Sequence, residues 1–170
     1  MTFEPNRIVI ETETGNYLNS RDNPRDAFQN HKRETPWDDL HMGYFSSYAL
    51  WNYLTTPFLY TNPGFVTEEL APWHEDGEKW RALKVTFPDY IATHAREQIS
   101  YFGRDGLLRR HEYTVDIMGG GRGLNYAIDY RKLDGIAVPT KRRIYPSDAE
   151  RRKVAEPLLI AIDFNNVEFC

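Results

Sequence analysis

The 170-residue chain has a net charge of −4, an aromatic content of 14% and one cysteine, Cys170. The length predicts a single domain over residues 1–170, large enough to bury its own core. The acidic balance argues against nucleic acid or an anionic membrane surface as a partner, because both need a basic surface. One cysteine allows no intrachain disulfide, and no stretch has the apolar length of a signal peptide or a membrane span. We therefore expect a cytoplasmic protein.

The chain begins with the pattern of a β-hairpin. Apolar residues alternate over residues 7–12, Gly15 and Asn16 are typical of a turn, and Tyr17 begins a returning strand.

One helix is predicted, over residues 37–53. Thr35 is expected to cap it, Pro36 suits its first position, Asp38 occupies the acidic position of a capping box, and Pro57 ends the segment. Large apolar side chains recur with a period close to that of a helix. They are Leu40, Tyr44, Phe45, Tyr48, Leu50 and Trp51. A helix this aromatic is expected to lie against a sheet, or over its mouth.

From residue 65 the apolar period changes to two and predicts a series of strands. They are expected over residues 65–70, 80–87, 90–102 (long or broken), 107–118, 124–131, 136–145 and 158–164. The glycine-rich residues 119–123 precede a strand and not a helix, which favours a flexible hairpin loop over a phosphate-binding loop. Short turns between strands predict an antiparallel meander, and a long twisted sheet tends to curl. We predict an α+β fold: a curled antiparallel β-meander, forming a half-barrel or an incomplete barrel, covered by one aromatic-rich helix.

The predicted strand over residues 107–118 carries the first candidate site. Arg109, His111 and Tyr113 share one face, and Arg110 and Glu112 share the other. If the first face lines a cavity, His111 is placed to act as an acid or a base. The alternative, which we favour, makes Arg110 and Glu112 solvated cross-strand partners and His111 a hydrogen-bonded sheet residue.

His94 is a second candidate for acid–base chemistry, although in an unbroken strand it faces away from Glu97. The five histidines show no spacing typical of metal ligands, so we expect no metal and no cofactor. The basic residues 141–143 and 151–153 are predicted to form solvated surface, because acidic residues elsewhere balance them.

Four stretches resemble an uncharacterised family of bacterial proteins. They are SYALWNYLTTPF at 47–58, IATH at 91–94, YFGRDGLLRRH at 101–111 and GIAVPTKRR at 135–143. The resemblance covers most of the chain, implies no known activity and transfers no catalytic residue. It also implies additional N-terminal structure in other members, so that a sheet edge is expected to be open here. The predicted architecture is similar to the half-barrel of bacterial lipoprotein carriers, which hold acyl chains between a sheet and helices, although this chain lacks a visible export signal.

Three functions remain open. The first is binding of a small hydrophobic or aromatic molecule or a lipid between sheet and helix, with Arg109 and His111 orienting a carboxylate or carbonyl. Its expected lining is Tyr44, Phe45, Tyr48 and Trp51 from the helix, and Trp80, Tyr113 and Tyr126 from the sheet. The second is a cofactor-free isomerase, cyclase or hydrolase that uses His111 or His94 as a base, with Arg109 or Arg110 stabilising negative charge. The third is a structural role, in which an open edge near Cys170 pairs with a partner strand or forms a homodimer.

Overall fold

The computed structural model describes residues 1–32 and 34–168. Within these ranges the chain forms ten strands, one α-helix and three short 3₁₀ helices. The strands are β1 (Thr2–Glu4), β2 (Arg7–Glu11), β3 (Tyr17–Asp22), β4 (Val66–Glu75), β5 (Glu78–Thr86), β6 (Glu97–Phe102), β7 (Leu108–Val115), β8 (Gly121–Leu133), β9 (Ile136–Pro146) and β10 (Ile160–Asp163). The helix α1 spans Asp39–Thr55, and the 3₁₀ helices span Pro24–Phe28, Phe58–Thr61 and Asp116–Met118.

The strands form two antiparallel sheets. Strands β1, β2 and β3 make a small sheet, and the other seven make a large sheet in the order β10-β9-β8-β7-β6-β5-β4. Every neighbour in the large sheet is also a neighbour in the chain, as short turns between strands require. The predicted α+β fold, an antiparallel meander with one aromatic-rich helix, is confirmed. The N-terminal hairpin differs from the rest, because it belongs to its own sheet.

The large sheet is open and strongly curled. In a flat sheet β4 and β8 would be four strand spacings apart, about 19 Å at 4.8 Å per spacing. Nevertheless the Tyr126 hydroxyl on β8 donates a hydrogen bond to the Glu75 carboxylate at the end of β4. The sheet must therefore bend towards the face that carries these two residues. The register shift between Leu70 and Trp73 on β4 lies just before this contact, and irregularities of this kind increase local twist.

Helix α1 begins at Asp39, two residues later than predicted, and its cap lies three residues later. Asp38, and not Thr35, is its cap: the Asp38 carboxylate accepts the His41 backbone N–H at 2.8 Å, and the Asp38 backbone N–H donates to the His41 ring at 3.3 Å. The Thr35 hydroxyl instead accepts the backbone N–H of Lys32. The predicted capping box is thus present, but Asp38 is its first residue and His41 completes it.

The predicted strand over residues 90–102 is wrong in its first half, because only Glu97–Phe102 pairs with neighbouring strands. The Gln98 side chain donates to the Thr93 hydroxyl and to the Ala95 carbonyl, so local bonds replace a strand ladder there. The glycine-rich segment is also shorter as a loop than predicted, since β8 begins at Gly121. Cys170, on which the dimer hypothesis draws, lies outside the described residues.

Candidate functional site

The side of the large sheet that faces α1 carries a row of buried polar residues. Ser100 on β6 pairs in register with His111 on β7, which pairs with Asn125 on β8. Cross-strand partners point to the same side of a sheet, so these three side chains lie together beneath the helix. All three are buried.

A hydrogen-bonded chain of aromatic side chains joins the helix to this side of the sheet. His94 is bonded through Nδ1 to the Tyr48 hydroxyl at 3.0 Å and through Nε2 to the Tyr53 hydroxyl at 2.9 Å. The Tyr53 hydroxyl is also 2.5 Å from that of Tyr113, whose ring stacks on His94 with centroids 4.3 Å apart. A neutral imidazole has one donor and one acceptor nitrogen. The donor and acceptor roles along this chain can therefore be arranged in either direction.

Burial keeps this chain uncharged at neutral pH. It lowers the pKa of His94 to about 3, with a smaller contribution from the positive charge of Arg25. Burial also raises the pKa of Tyr53 to about 12, and it raises the pKa of Tyr113 well above its ordinary value. The four groups therefore act as neutral hydrogen-bond donors and acceptors, and they supply no fixed charge.

Next to this chain lies what we call the buried polar cluster: His111, Asn125 and Arg142. His111 and Arg142 are each 1% exposed, and Asn125 is fully buried. Among the described residues, no well-formed hydrogen bond reaches either ring nitrogen of His111, either amide atom of Asn125, which lies near the Tyr53 and Tyr113 hydroxyls, or Nε and Nη1 of Arg142. Leaving a buried polar atom without a partner costs about 1–3 kcal/mol, so six of them in one place require an explanation.

Arg142 is the only permanent cation of this cluster, and its surroundings are tyrosines. Its Nη2 donates to the Tyr53 carbonyl at 2.6 Å, and its guanidinium lies 4.9 Å from the centroid of the Tyr53 ring. Within residues 1–32 and 34–168 no carboxylate forms an ion pair with it. Burial lowers the pKa of Arg142. Burial of His111, with a smaller contribution from the positive charge of Arg142, lowers the pKa of His111 to about 3.

An apolar groove of about 640 Å³ opens at the C-terminal end of α1. It lies between the end of the helix, the following 3₁₀ helix, the start of β9 and residues 167 and 168. Its lining includes Trp51, Leu54, Thr56, Phe58, Leu59, Ile136, Val138 and Glu168. Trp51, Leu54 and Phe58 are exposed to solvent, whereas Thr56, Leu59 and Val138 are buried. The groove has an open apolar rim and a floor that continues into the core.

The opposite side of the sheet contains a second cluster, in which each buried charge has an opposite charge beside it. Arg110, 0% exposed, binds the Glu75 carboxylate at 2.6 Å and the Glu112 carboxylate at 3.3 Å, and its guanidinium lies 4.1 Å from the centroid of the Tyr101 ring. Arg151 reaches in from the polar segment before β10 and donates to Glu112 at 2.8 Å. We call this group the charged cluster.

One expectation about charge is therefore wrong. Arg110 and Glu112 are buried partners and not solvated ones, because the curled sheet encloses them. Of the basic residues 151–153, Arg152 and Lys153 are exposed as predicted, and their cations also lie over the rings of Trp73 and Tyr126 respectively.

The structure brings together six of the residues singled out in the sequence. Beneath or within α1 lie Tyr44, Phe45, Tyr48, His94, His111 and Tyr113. Trp51, the remaining helix residue of the set, points into the groove instead. Trp80 and Tyr126 pack on the opposite side of the sheet, with Tyr101. Arg109 binds Asp105 at 2.8 Å and Glu78 at 3.3 Å near the β6–β7 turn.

Arg142 is the residue that the sequence analysis missed. It was assigned to a solvated basic run, but the alternation of β9 places Val138, Thr140, Arg142 and Ile144 on one buried side. The sequence feature that could have indicated a buried Arg142 is its place in an alternating row whose other members are uncharged. The position next to His111 that was expected for Arg109 is taken up by Arg142.

Among the described residues, no three His, Cys, Asp or Glu side chains lie together as ligands of a metal ion would. In the same part of the chain, no helix combines the length and apolar character of a membrane span.

Fold and site together define the class: a small α+β protein with an open, curled antiparallel sheet, a helix over one side and buried polar groups beneath it. No protein-family model matches the chain, and no curated protein matches it. A solved structure that is similar in part is a DUF1329 family protein from Desulfovibrio piger, with 20% identity and a TM-score of 0.39. The match covers 48% of this chain and 34% of that one, so this chain spans about a third of that structure. Such a likeness carries no argument about function, and the similarity to lipoprotein carriers stays a prediction.

Proposed function

We propose that this protein binds a small hydrophobic or aromatic molecule, or a lipid, in the apolar groove beside the end of α1. The observation that carries the proposal is the convergence of exposed large apolar side chains, Trp51, Leu54 and Phe58, on one concave surface. A volume of about 640 Å³ lies within the range of drug-sized binding sites, which are roughly 300–1,000 Å³.

The energetics favour an apolar occupant. Each Å² of apolar surface removed from water contributes about 25 cal/mol, so burying roughly 200 Å² in total, on the groove and its occupant together, contributes about 5 kcal/mol before the cost of association. Leu54 and Phe58 have no role in the hydrogen-bonded chain beneath the helix, and they face solvent. Their exposure therefore adds nothing to folding and is available for binding.

Trp51 supplies an intrinsic reporter for the test. N-phenylnaphthylamine, an uncharged dye that fluoresces in apolar surroundings, would be titrated into the protein while tryptophan emission is recorded. We expect saturable binding with quenching of tryptophan emission, and loss of most of that quenching in Trp51→Phe.

Leu54→Ser is expected to weaken dye binding at least tenfold. Leu18→Ser is the matched control, because Leu18 is also an exposed leucine but lies on β3, away from the groove. Equal loss of affinity in both variants, or saturable binding that neither variant changes, would place the dye elsewhere and contradict the proposal.

A cofactor-free enzyme is the second candidate, favoured by the buried hydrogen-bonded chain of Tyr48, His94, Tyr53 and Tyr113. In this candidate His94 or His111 acts as the base, and Arg142 stabilises developing negative charge. Any molecule retained by the purified protein would be incubated with it and its mass followed over time. Conversion that continues unchanged in both His94→Ala and His111→Ala would remove this candidate. A homodimer through an open sheet edge stays a prediction.

A further inference from the structure

Among the residues that the structure describes, no carboxylate balances the charge of Arg142, although the protein pairs its other deeply buried arginine. Arg110 has two carboxylates within 3.3 Å, whereas Arg142 has one backbone carbonyl and aromatic rings. A buried cation without an opposite charge is costly, and folded proteins normally pair it. The contrast within one sheet indicates that Arg142 is kept free for an anion from outside the described chain.

Strand β9 connects Arg142 to the groove. Val138, Thr140 and Arg142 are alternate residues of this strand and are all buried, so they point to the same side. Val138 lines the groove, and Arg142 lies four residues further along, about 13 Å at 3.3 Å per residue. Val138 at the groove and the buried Arg142 therefore lie on the same continuous side of β9.

The groove floor also contains a polar group close to the end of α1. The Thr56 hydroxyl lies near that of Tyr60 but is buried without a well-formed hydrogen bond among the described residues, and Thr56 lines the groove. Tyr53, whose carbonyl holds Arg142, precedes Thr56 by three residues, so both lie at the same end of α1. At the outer part of the groove, Glu168 would repel a negative group.

We propose that the ligand is a single-chain amphiphile with an anionic head group, whose apolar chain lies in the groove and whose head passes Thr56 to pair with Arg142. This inference rests on the proposed function and adds the charge and the orientation of the ligand. His111 and Asn125 supply further hydrogen bonds, since a neutral imidazole and an amide can each donate to an anionic oxygen.

The test compares molecules that share a chain and differ in the head group: laurate, dodecyl phosphate and dodecanol, each titrated against bound N-phenylnaphthylamine. We expect both anions to displace the dye at least tenfold more effectively than dodecanol. The more effective anion identifies the head group as carboxylate or phosphate. This comparison uses the unmodified protein, so it does not depend on the folding of any variant.

Asn125→Asp tests the assignment to Arg142. Asn125 is diagonal to Arg142 across β8 and β9, because it pairs with Ile144 while Ala127 pairs with Arg142. A carboxylate at this position would supply the missing counter-ion. We expect a higher midpoint of thermal unfolding, at least a tenfold loss of anion affinity and unchanged affinity for dodecanol. Asn16→Asp, which adds the same charge in an exposed turn, is expected to change none of these.

The outcomes separate the two proposals. If the dye and dodecanol bind but the anions bind no better, the anionic head group is wrong and the groove remains a binding site. If the anions bind better and Asn125→Asp leaves that preference unchanged, the head group does not pair with Arg142. If neither the dye nor any of the amphiphiles binds, the proposed function itself fails.

Discussion

Arg142 joins the large sheet to the end of the helix through a single residue, Tyr53. Its Nη2 donates to the Tyr53 carbonyl at 2.6 Å, and its guanidinium also lies 4.9 Å from the centroid of the same residue's ring. Meanwhile the Tyr53 hydroxyl bonds to His94 and Tyr113. Tyr53 therefore touches both the hydrogen-bonded chain and the buried polar cluster, and a change at this residue is expected to affect both.

Tyr53→Phe tests the hydrogen-bonded chain. The substitution removes one hydroxyl and leaves buried groups of His94 and Tyr113 without a partner, so we expect the free energy of unfolding to fall by about 1–3 kcal/mol. Urea denaturation would measure it. Tyr90→Phe is the control, because its hydroxyl bonds the Pro63 carbonyl at the surface, and it should cost less than about 0.5 kcal/mol. Equal losses in the two variants would contradict the importance of the buried chain.

Glu75→Gln tests the charged cluster. Glu75 binds Arg110 at 2.6 Å and also accepts hydrogen bonds from Trp73 and Tyr126. Removing its charge leaves a buried arginine poorly compensated, and we expect a loss of about 3 kcal/mol in chemical denaturation. The matched control is Glu69→Gln on the same strand, which breaks an exposed pair with Arg81 and is expected to have little effect. A loss no larger than that of the control would show that the cluster does not stabilise the fold.

The pH dependence of stability follows from the buried histidines. His94 and His111 have folded-state pKa values of about 3, against 6.5 for an unperturbed imidazole. The unfolded chain therefore takes up more protons than the folded chain between these values, so stability is complete above pH 6.5 and falls as the pH drops from 6.5 towards 3.

His111→Leu should make this decline shallower, since it removes one of the two titrating groups. Unfolding midpoints in urea would be compared from pH 7 to pH 4. His74→Leu changes an exposed histidine and should leave the decline as it is. A decline of the same steepness in His111→Leu would mean that His111 does not contribute to it.

Asp38→Ala tests the start of the helix. Asp38 accepts the His41 backbone N–H and pairs with Arg21. Partial burial raises the pKa of Asp38, but these two contacts outweigh it and lower the pKa to about 2. We expect the alanine variant to lose about 1–2 kcal/mol of unfolding free energy. Asp38→Asn keeps a capping oxygen and should lose clearly less. Thr35→Ala, at the position that sequence alone favoured, should have a smaller effect than Asp38→Ala.

The sequence by itself determined the order of the elements. Alternating apolar residues define most strands of the meander, and the spacing of large apolar residues from Leu40 to Trp51 defines the helix. Both periods reflect which side of the strand or helix is turned away from water. The same local patterns placed Tyr48, His94 and Tyr113 among the candidates. Local patterns were less reliable at the ends of elements, where competing hydrogen bonds from Asp38 or Gln98 decide between helix, strand and loop.

Only the tertiary structure decided which charged residues are buried. Arg110 and Arg142 both occupy alternating strands next to other basic residues, and the sequence favours a solvated interpretation for each. The curl of the sheet brings Glu75 from a distant strand to Arg110, and the helix end covers Arg142 with Tyr53. The alternation of residues along a strand indicates which of them share a side of the sheet, but it does not indicate what packs against that side. The pairing of a buried charge depends on such long-range contacts, and so the difference between a balanced Arg110 and an unbalanced Arg142 exists only in the folded chain.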